Sequence, residues 1–180
     1  MGAPIGHFDR AVIRLEPWAE DDLPLLERLT GDPAMTENLG GPESREKIVE
    51  RQKLYERLPS TGKGQMFKIV ETDTGERVGW VGYWERESSE GHVYETGWMV
   101  LPAFQGRGVA TSATSQVIER ARAGRKHQFL YAYPSVDNAP SNAICRKLGF
   151  TLVDMSEYEY PKNSGKVMRC NDWRLDLFAR

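Results

Sequence analysis

Cysteine is scarce in this chain of 180 residues: Cys145 and Cys170 are the only two. Two cysteines cannot build the disulfide framework of a small secreted domain, and they read as reduced thiols in a cytoplasmic protein. No secretory signal is expected at the N-terminus, because Met1-Gly2-Ala3-Pro4-Ile5-Gly6-His7 offers neither a basic start nor an apolar stretch. Gly2 stands where an N-myristoyl chain would attach, but Gly6 occupies the place of the required Ser or Thr. No apolar run approaches the ~18 residues that span a bilayer. Charge of one sign is lacking as well: 24 Lys and Arg face 26 Asp and Glu, a net of −2. So balanced a chain does not hold nucleic acid through bulk charge. Nothing repeats and no linker is long enough to divide the chain, so one domain over residues 1–180 is expected.

Hydrophobic periodicity supplies the elements. Ala11 to Leu15 alternates as a strand does, and Pro17-Trp18 breaks it. Glu20-Asp21-Asp22 puts acids at the start of a helix whose Leu23, Leu26 and Leu29 share one face. Gly40-Gly41-Pro42 separates it from a second helix, Glu43 to Leu58. There Ile48, Tyr55 and Leu58 stand among many charges, which fits a surface helix or a partial lid. Gln65 to Glu71 and Arg77 to Glu85 form an antiparallel hairpin around Asp73-Thr74-Gly75-Glu76. Trp80 and Trp84 share a face with Gly82 and read as core rather than as a ligand cage. Glu85 to Gly91 reads as a polar loop, and His92 to Val100 as the next strand.

Val109, Ala113, Val117, Ile118 and Ala121 mark the buried face of a helix from Gly108 to Ala123, which Gly124 ends. Phe129 to Tyr133 is a strand closed by Pro134. The next helix is capped by Asp137 or Asn138, carries Pro140 in its first turn and stops at Gly149. Phe150 to Asp154 and Val167 to Leu177 are the last strands, with a polar loop from Pro161 to Lys166 between them. The order β-α-α-β-β-β-α-β-α-β-β is α+β, a largely antiparallel sheet with one crossover.

The chemistry is concentrated between Glu95 and Phe150. The strand ending at Val100 stops at Leu101-Pro102, and Ala103-Phe104 leads into Gln105-Gly106-Arg107-Gly108-Val109-Ala110, which opens a helix. A strand, a glycine-bearing turn and a helix start make an anion site, since the backbone can approach a ligand and the first helical N–H groups face its charge. A nucleotide hydrolase loop is disfavoured, because no Gly-Lys-Ser/Thr follows the glycines. A dinucleotide fingerprint is disfavoured too, since it needs three glycines in a βαβ frame. Further on comes Asp137-Asn138-Ala139-Pro140-Ser141-Asn142-Ala143-Ile144-Cys145-Arg146-Lys147-Leu148-Gly149-Phe150.

On these two segments, in this order, the chain resembles the GCN5-related N-acetyltransferases (GNAT), which move an acetyl group from acetyl-CoA to an amine. The first matches the family's Q/R-x-x-G-x-G/A loop and the second its N-x-x-S/A…G-F segment. The resemblance covers residues 10–178, and within the family it leans to the branch of the bacterial ribosomal-protein N-terminal acetyltransferases. It implies a three-layer α/β/α fold with a mixed, largely antiparallel sheet of about seven strands and four helices. It implies acetyl-CoA as donor and no metal. The pyrophosphate falls to Gln105, Gly106, Arg107, Gly108, Val109, Ala110 and Thr111. The pantetheine arm pairs like an extra strand along Met99, Val100 and Leu101, and Asn138 and Asn142 match positions that hydrogen-bond its amides. The family bulges this strand to aim an N–H at the thioester oxygen, which the sequence does not display.

The acceptor amine must lose a proton to attack, and the resemblance points to Glu95 as the base, acting directly or through water, with His92 second. Many family members protonate the leaving thiolate with a Tyr seven positions after the Asn of the second motif. Here that position is Cys145, which reads as a packing thiol because no His adjoins it. Ser141 is then the expected donor to the thiolate. The acceptor is a small amine, including the aminoglycoside type, or a protein N-terminus, and a homodimer stays open. A CoA-binding regulatory module without catalysis is the alternative.

Overall fold

A computed structural model of the chain describes residues 12–159 and 165–179. The N-terminal stretch inspected for a leader, Ala11 of the first expected strand, and the loop from Pro161 to Ser164 lie outside the described residues. Seven strands form one sheet: β1 (Ile13–Pro17), β2 (Gly64–Glu71), β3 (Arg77–Ser88), β4 (Gly91–Val100), β5 (Phe129–Ala132), β6 (Thr151–Glu159) and β7 (Val167–Asp176). The α-helices are α1 (Leu23–Thr30), α2 (Arg45–Arg57), α3 (Val109–Gly124) and α4 (Ala139–Lys147). The strands lie in the order β1-β2-β3-β4-β5-β7-β6, and β4–β5 is the one parallel pair among antiparallel ones. The architecture is the expected α+β sandwich, with helices on both faces of a mixed sheet.

Strand alternation decides which helix covers which face. Trp80 on β3 meets Tyr55 of α2 edge-on at 5.8 Å. Phe67 of β2, paired with Val81 and so on the opposite face, lies under Arg120 of α3 at 4.9 Å. α2 buries Ile48, Gln52 and Tyr55, so it is part of the core as well as a surface helix. Gln52 accepts from the Trp18 indole N–H at 2.8 Å and donates to the Ala19 carbonyl at 2.9 Å. α1 is anchored by Asp22, which is fully buried and accepts from Lys68 at 3.0 Å, Arg77 at 2.8 Å and the Ala19 N–H at 2.8 Å. A buried carboxylate is tolerable because two cations and an amide satisfy it.

Several boundaries differ from the sequence reading, most by a residue or two at an element's end. Glu85 to Gly91 is not a loop: β3 runs to Ser88 and pairs directly with β4, Ser88 opposite Gly91 and Arg86 opposite Val93. Its polar side chains find partners, Glu85 with Lys126 at 2.5 Å and His127 at 2.9 Å on the α3–β5 connection, and Arg86 with Glu95 on β4 at 2.9 Å. Pairing therefore outweighs the polar composition. α3 ends at Gly124, one residue past the expected Ala123, and the left-handed residue that closes it is Arg125 at φ 47°, whose guanidinium lies 5.1 Å over the Phe178 ring. β6 runs five residues past Asp154, to Glu159. It is an edge strand with Leu152, Val153 and Met155 exposed, so it shows no buried-face alternation to read. β1 continues to Pro17, which the outer edge of a sheet accepts because no N–H is needed there.

Candidate active site

β4 and β5 pair at Tyr94–Leu130 and Glu95–Tyr131 and then part. On its other side β4 stays in unbroken register with β3, from Ser88–Gly91 to Gly79–Val100, so no bulge interrupts that pairing. From Thr96 onward β4 therefore offers an open edge. The opening widens into a cleft of about 870 Å³ bounded by the Gln105–Thr111 turn, the start of α4, the two tryptophans of β3 and the α1–α2 connection.

At one end the groups facing the cleft are backbone. Gly106 and Gly108 hold φ of 73° and 78°, a conformation that favours glycine. A Cβ on either would meet nothing within 4 Å, so the turn needs glycine for its dihedrals and not for space. The first helical bond of α3 runs from the Ser112 N–H to the Gly108 carbonyl at 2.9 Å. The N–H groups of Gly108, Val109, Ala110 and Thr111 precede it and have no acceptor within the helix. The second helix start is capped by Asn138, whose side-chain oxygen accepts from the Ser141 N–H at 3.1 Å. Asn138 does the capping, so the Ser141 hydroxyl is not spent on it, and both residues line the cleft.

Three of the residues expected at the cofactor do not reach the cleft. Arg107 turns away to Glu71 at 2.8 Å, with its guanidinium over the Phe104 ring. Asn142 is buried, and its amide is fully committed. It donates to the carbonyls of Ser135 and Asn138 at 2.9 and 2.8 Å and accepts from Asn171 and the Trp173 indole at 2.8 Å each. Leu101 uses both backbone groups internally, its N–H on the Val78 carbonyl at 2.8 Å and its carbonyl for the Phe104 N–H at 2.9 Å. Since Leu101 faces β3, alternation turns Met99 to β3 as well and presents Trp98 and Val100 to the open edge. The Val100 carbonyl is held by the Gln105 side chain at 2.8 Å. Gln105 thus fastens the turn to β4.

At the other end the groups are side chains. Glu95 keeps 22% of its side chain exposed and is paired with Arg86 at 2.9 Å. Burial pushes its carboxyl above the ordinary range, and Arg86 opposes that push. The Arg86 guanidinium lies over Tyr133 at 4.4 Å and Tyr158 at 5.3 Å, and burial raises both phenols. Trp80 and Trp84 belong to the cleft wall as well as to the core. Gly97 lies opposite them, where a Cβ would stand 3.1 Å from the Trp84 ring and 3.4 Å from that of Trp80. Cys145, on α4, is fully buried and does not line the cleft, and burial pushes its thiol up to about 12. His92 is exposed at the start of β4, away from the cleft. Arg86, Tyr133 and Tyr158 escaped the sequence reading. Arg86 shares a strand face with Trp84, a signal that the polar composition of Glu85 to Gly91 hides.

Among the described residues no group of three or more His, Cys, Asp or Glu is placed to hold a metal. Nor is any described helix long and apolar enough to cross a membrane.

A mixed seven-stranded sheet split between β4 and β5, with a helix-opening glycine turn beside the split, is the fold of the GNAT acetyltransferases. The family model for the acetyltransferase (GNAT) domain matches residues 13–151, and the chain belongs to that family. No curated protein matches it. Among solved structures it is similar to the spermidine N-acetyltransferase of Vibrio cholerae in complex with CoA and spermine. Identity there is 15% over 92% of this chain and 95% of that one, with a TM-score of 0.75. It is similar to an acetyl transferase of Salmonella typhimurium that modifies the N-terminal serine of ribosomal protein L7/L12, with 22% identity, 91% and 94% coverage and a TM-score of 0.73. A putative acetyltransferase of Salmonella typhimurium with acetyl-CoA gives 19% identity, 93% and 95% coverage and a TM-score of 0.74. At these identities the likeness is one of fold.

Proposed function

We propose that the protein moves the acetyl group of acetyl-CoA to a primary amine by direct attack in a ternary complex. The observation that carries this reading is that Glu95, Ser141 and the free amides of the Gly106–Thr111 turn line one cleft. The pyrophosphate sits on the amides at the start of α3. The pantetheine arm lies along the open edge of β4, where Trp98 and Val100 present backbone groups, and the Asn138 side chain supports its amides. The amine nitrogen attacks the thioester carbon while Glu95 takes its proton, directly or through one water. The new C–N bond forms, the C–S bond breaks, and the departing thiolate receives a hydrogen bond from Ser141. An N–H on the β4 edge stabilises the oxyanion between these steps.

Burial raises the Glu95 carboxyl and so makes it a stronger base than an ordinary carboxylate. The whole chain acts as one domain in the cytoplasm, and its motifs place it nearest the branch of ribosomal-protein N-terminal acetyltransferases. The acceptor is a small amine or a protein N-terminus. A CoA-binding module without catalysis is the second reading, favoured by the buried Cys145 where many relatives carry a Tyr. Turnover of acetyl-CoA with a panel of amines, read as CoA release and product mass, separates the two. Tight CoA binding with no product from any amine would establish the non-catalytic module.

A further inference from the structure

The acceptor end of the cleft is aromatic, and the carboxylates described there already accept hydrogen bonds. Trp80 and Trp84 project from β3 over Gly97. Tyr133 and Tyr158 stand on the other side, edge-on to each other at 5.7 Å. The carboxylates of the cleft wall are Glu43, Glu95, Asp137 and Glu159. Glu43 is held by Arg51 at 2.9 Å and Glu95 by Arg86 at 2.9 Å, while Glu159 accepts the Gly165 N–H at 2.7 Å. Asp137 precedes α4, at the cofactor end. The face of Tyr133 that would attract a ligand cation is covered by Arg86 at 4.4 Å.

A polyamine or aminoglycoside brings several positive charges, and each one beyond the reacting nitrogen needs a carboxylate or an open ring face. Among the described residues the open ring faces are those of Trp80 and Trp84, beside Glu95 where the reacting nitrogen itself sits, and Asp137 stands at the cofactor end, so a charge elsewhere on the acceptor finds no partner without breaking an existing contact. Trp84 and Glu95 are register partners on β3 and β4, so indole and carboxylate stand side by side on one sheet face. Directly opposed residues set their Cβ atoms about 5 Å apart. That spacing suits a ring joined to its amine by a one- or two-carbon link.

Building on the amine-acetylation reading, we infer that the acceptor is a small monoamine with a flat aromatic body, which lies against Trp84 and presents its nitrogen to Glu95. Phenethylamine and tryptamine should then exceed spermidine and kanamycin in kcat/KM by about tenfold or more, the worth of one good aromatic contact plus ring burial. Trp84→Ala should raise KM for tryptamine about tenfold and leave KM for acetyl-CoA unchanged, and Trp84→Phe should restore most of the loss. Preferred turnover of spermidine, kanamycin or a seryl peptide, or a Trp84→Ala enzyme with wild-type KM for tryptamine, overturns the substrate class and leaves amine acetylation standing. Absence of product from every amine, with acetyl-CoA still bound, overturns the acetylation reading and this inference with it.

Discussion

At one end of the cleft the groups that face it are backbone amides from a single turn, Gly106 to Thr111. At the other they are side chains from three strands, Arg86 on β3, Glu95 on β4 and Tyr158 on β6, with Tyr133 just past the end of β5. A backbone site is set by dihedrals, so it leaves a compact trace in the sequence and tolerates change everywhere except at its glycines. A side-chain site is set by strand register, so its members lie far apart in the chain and each is individually replaceable. The first end suits a cofactor of fixed chemistry and the second an acceptor that varies between relatives.

Substitutions at the two ends should therefore fail differently. The largest effect is expected for Glu95→Gln, which should lower turnover by ~10²–10⁴-fold while calorimetry shows acetyl-CoA affinity unaltered. The acidic limb of its pH–rate profile should vanish; a persisting limb would hand the proton to a water chain. Ser141→Ala comes next, with a single-turnover rate reduced roughly ten- to a hundredfold, since a hydrogen bond to a charged group is worth ~1.5–3 kcal/mol. Cys145→Ala serves as its counterpart and should leave that rate unchanged while lowering the melting temperature. A slow Cys145→Ala enzyme would reverse the assignment.

Gly108→Ala tests the backbone end. Forcing a Cβ into φ 78° costs ~1–2 kcal/mol, and relaxation of the turn would swing the α3 amides off the pyrophosphate, for a loss of about tenfold in acetyl-CoA affinity. Gly75, in the β2–β3 turn at φ 73°, is the matched control. Gly75→Ala should cost similar stability and no affinity, and equal affinity losses in both variants would dissolve the distinction between the ends. The smallest effect is expected for Arg86→Ala. Arg86 holds the Glu95 carboxyl down against burial, so its removal raises that carboxyl further. Because the base must be ionised, activity is lost as pH falls through its folded value. The acidic limb of kcat/KM should thus move to higher pH, with little change at alkaline pH.

The same contrast explains what could be read from the residues alone. The order of elements, the helix faces of α3 and the glycine turn follow from local periodicity and dihedral demand, and all appear in the structure. The second tryptophan face, the pairing of Arg86 with Glu95 and the arrival of Tyr158 depend on which residue of β3 opposes which residue of β4 and on how far an exposed edge strand extends. Neither is a local property. Asn142 misled for a related reason: it has the residue type of a ligand contact, but Trp173 and Asn171, distant in sequence, consume its amide.

The parting of β4 from β5 has a consequence for amide hydrogen exchange. Trp98 and Val100 lie on a strand edge that no neighbouring strand covers, within an otherwise continuous sheet. In the unliganded protein their amides should exchange rapidly while those of the β3–β4 register, such as Met99, stay protected. A pantetheine arm laid into the gap would act as a missing strand, and protection should then appear at alternate residues along β4 and not as a uniform block. Saturating cofactor at a hundred times its dissociation constant would add about 2.7 kcal/mol to the folded state. A large part of that gain should appear as slowed exchange in this one split of the sheet.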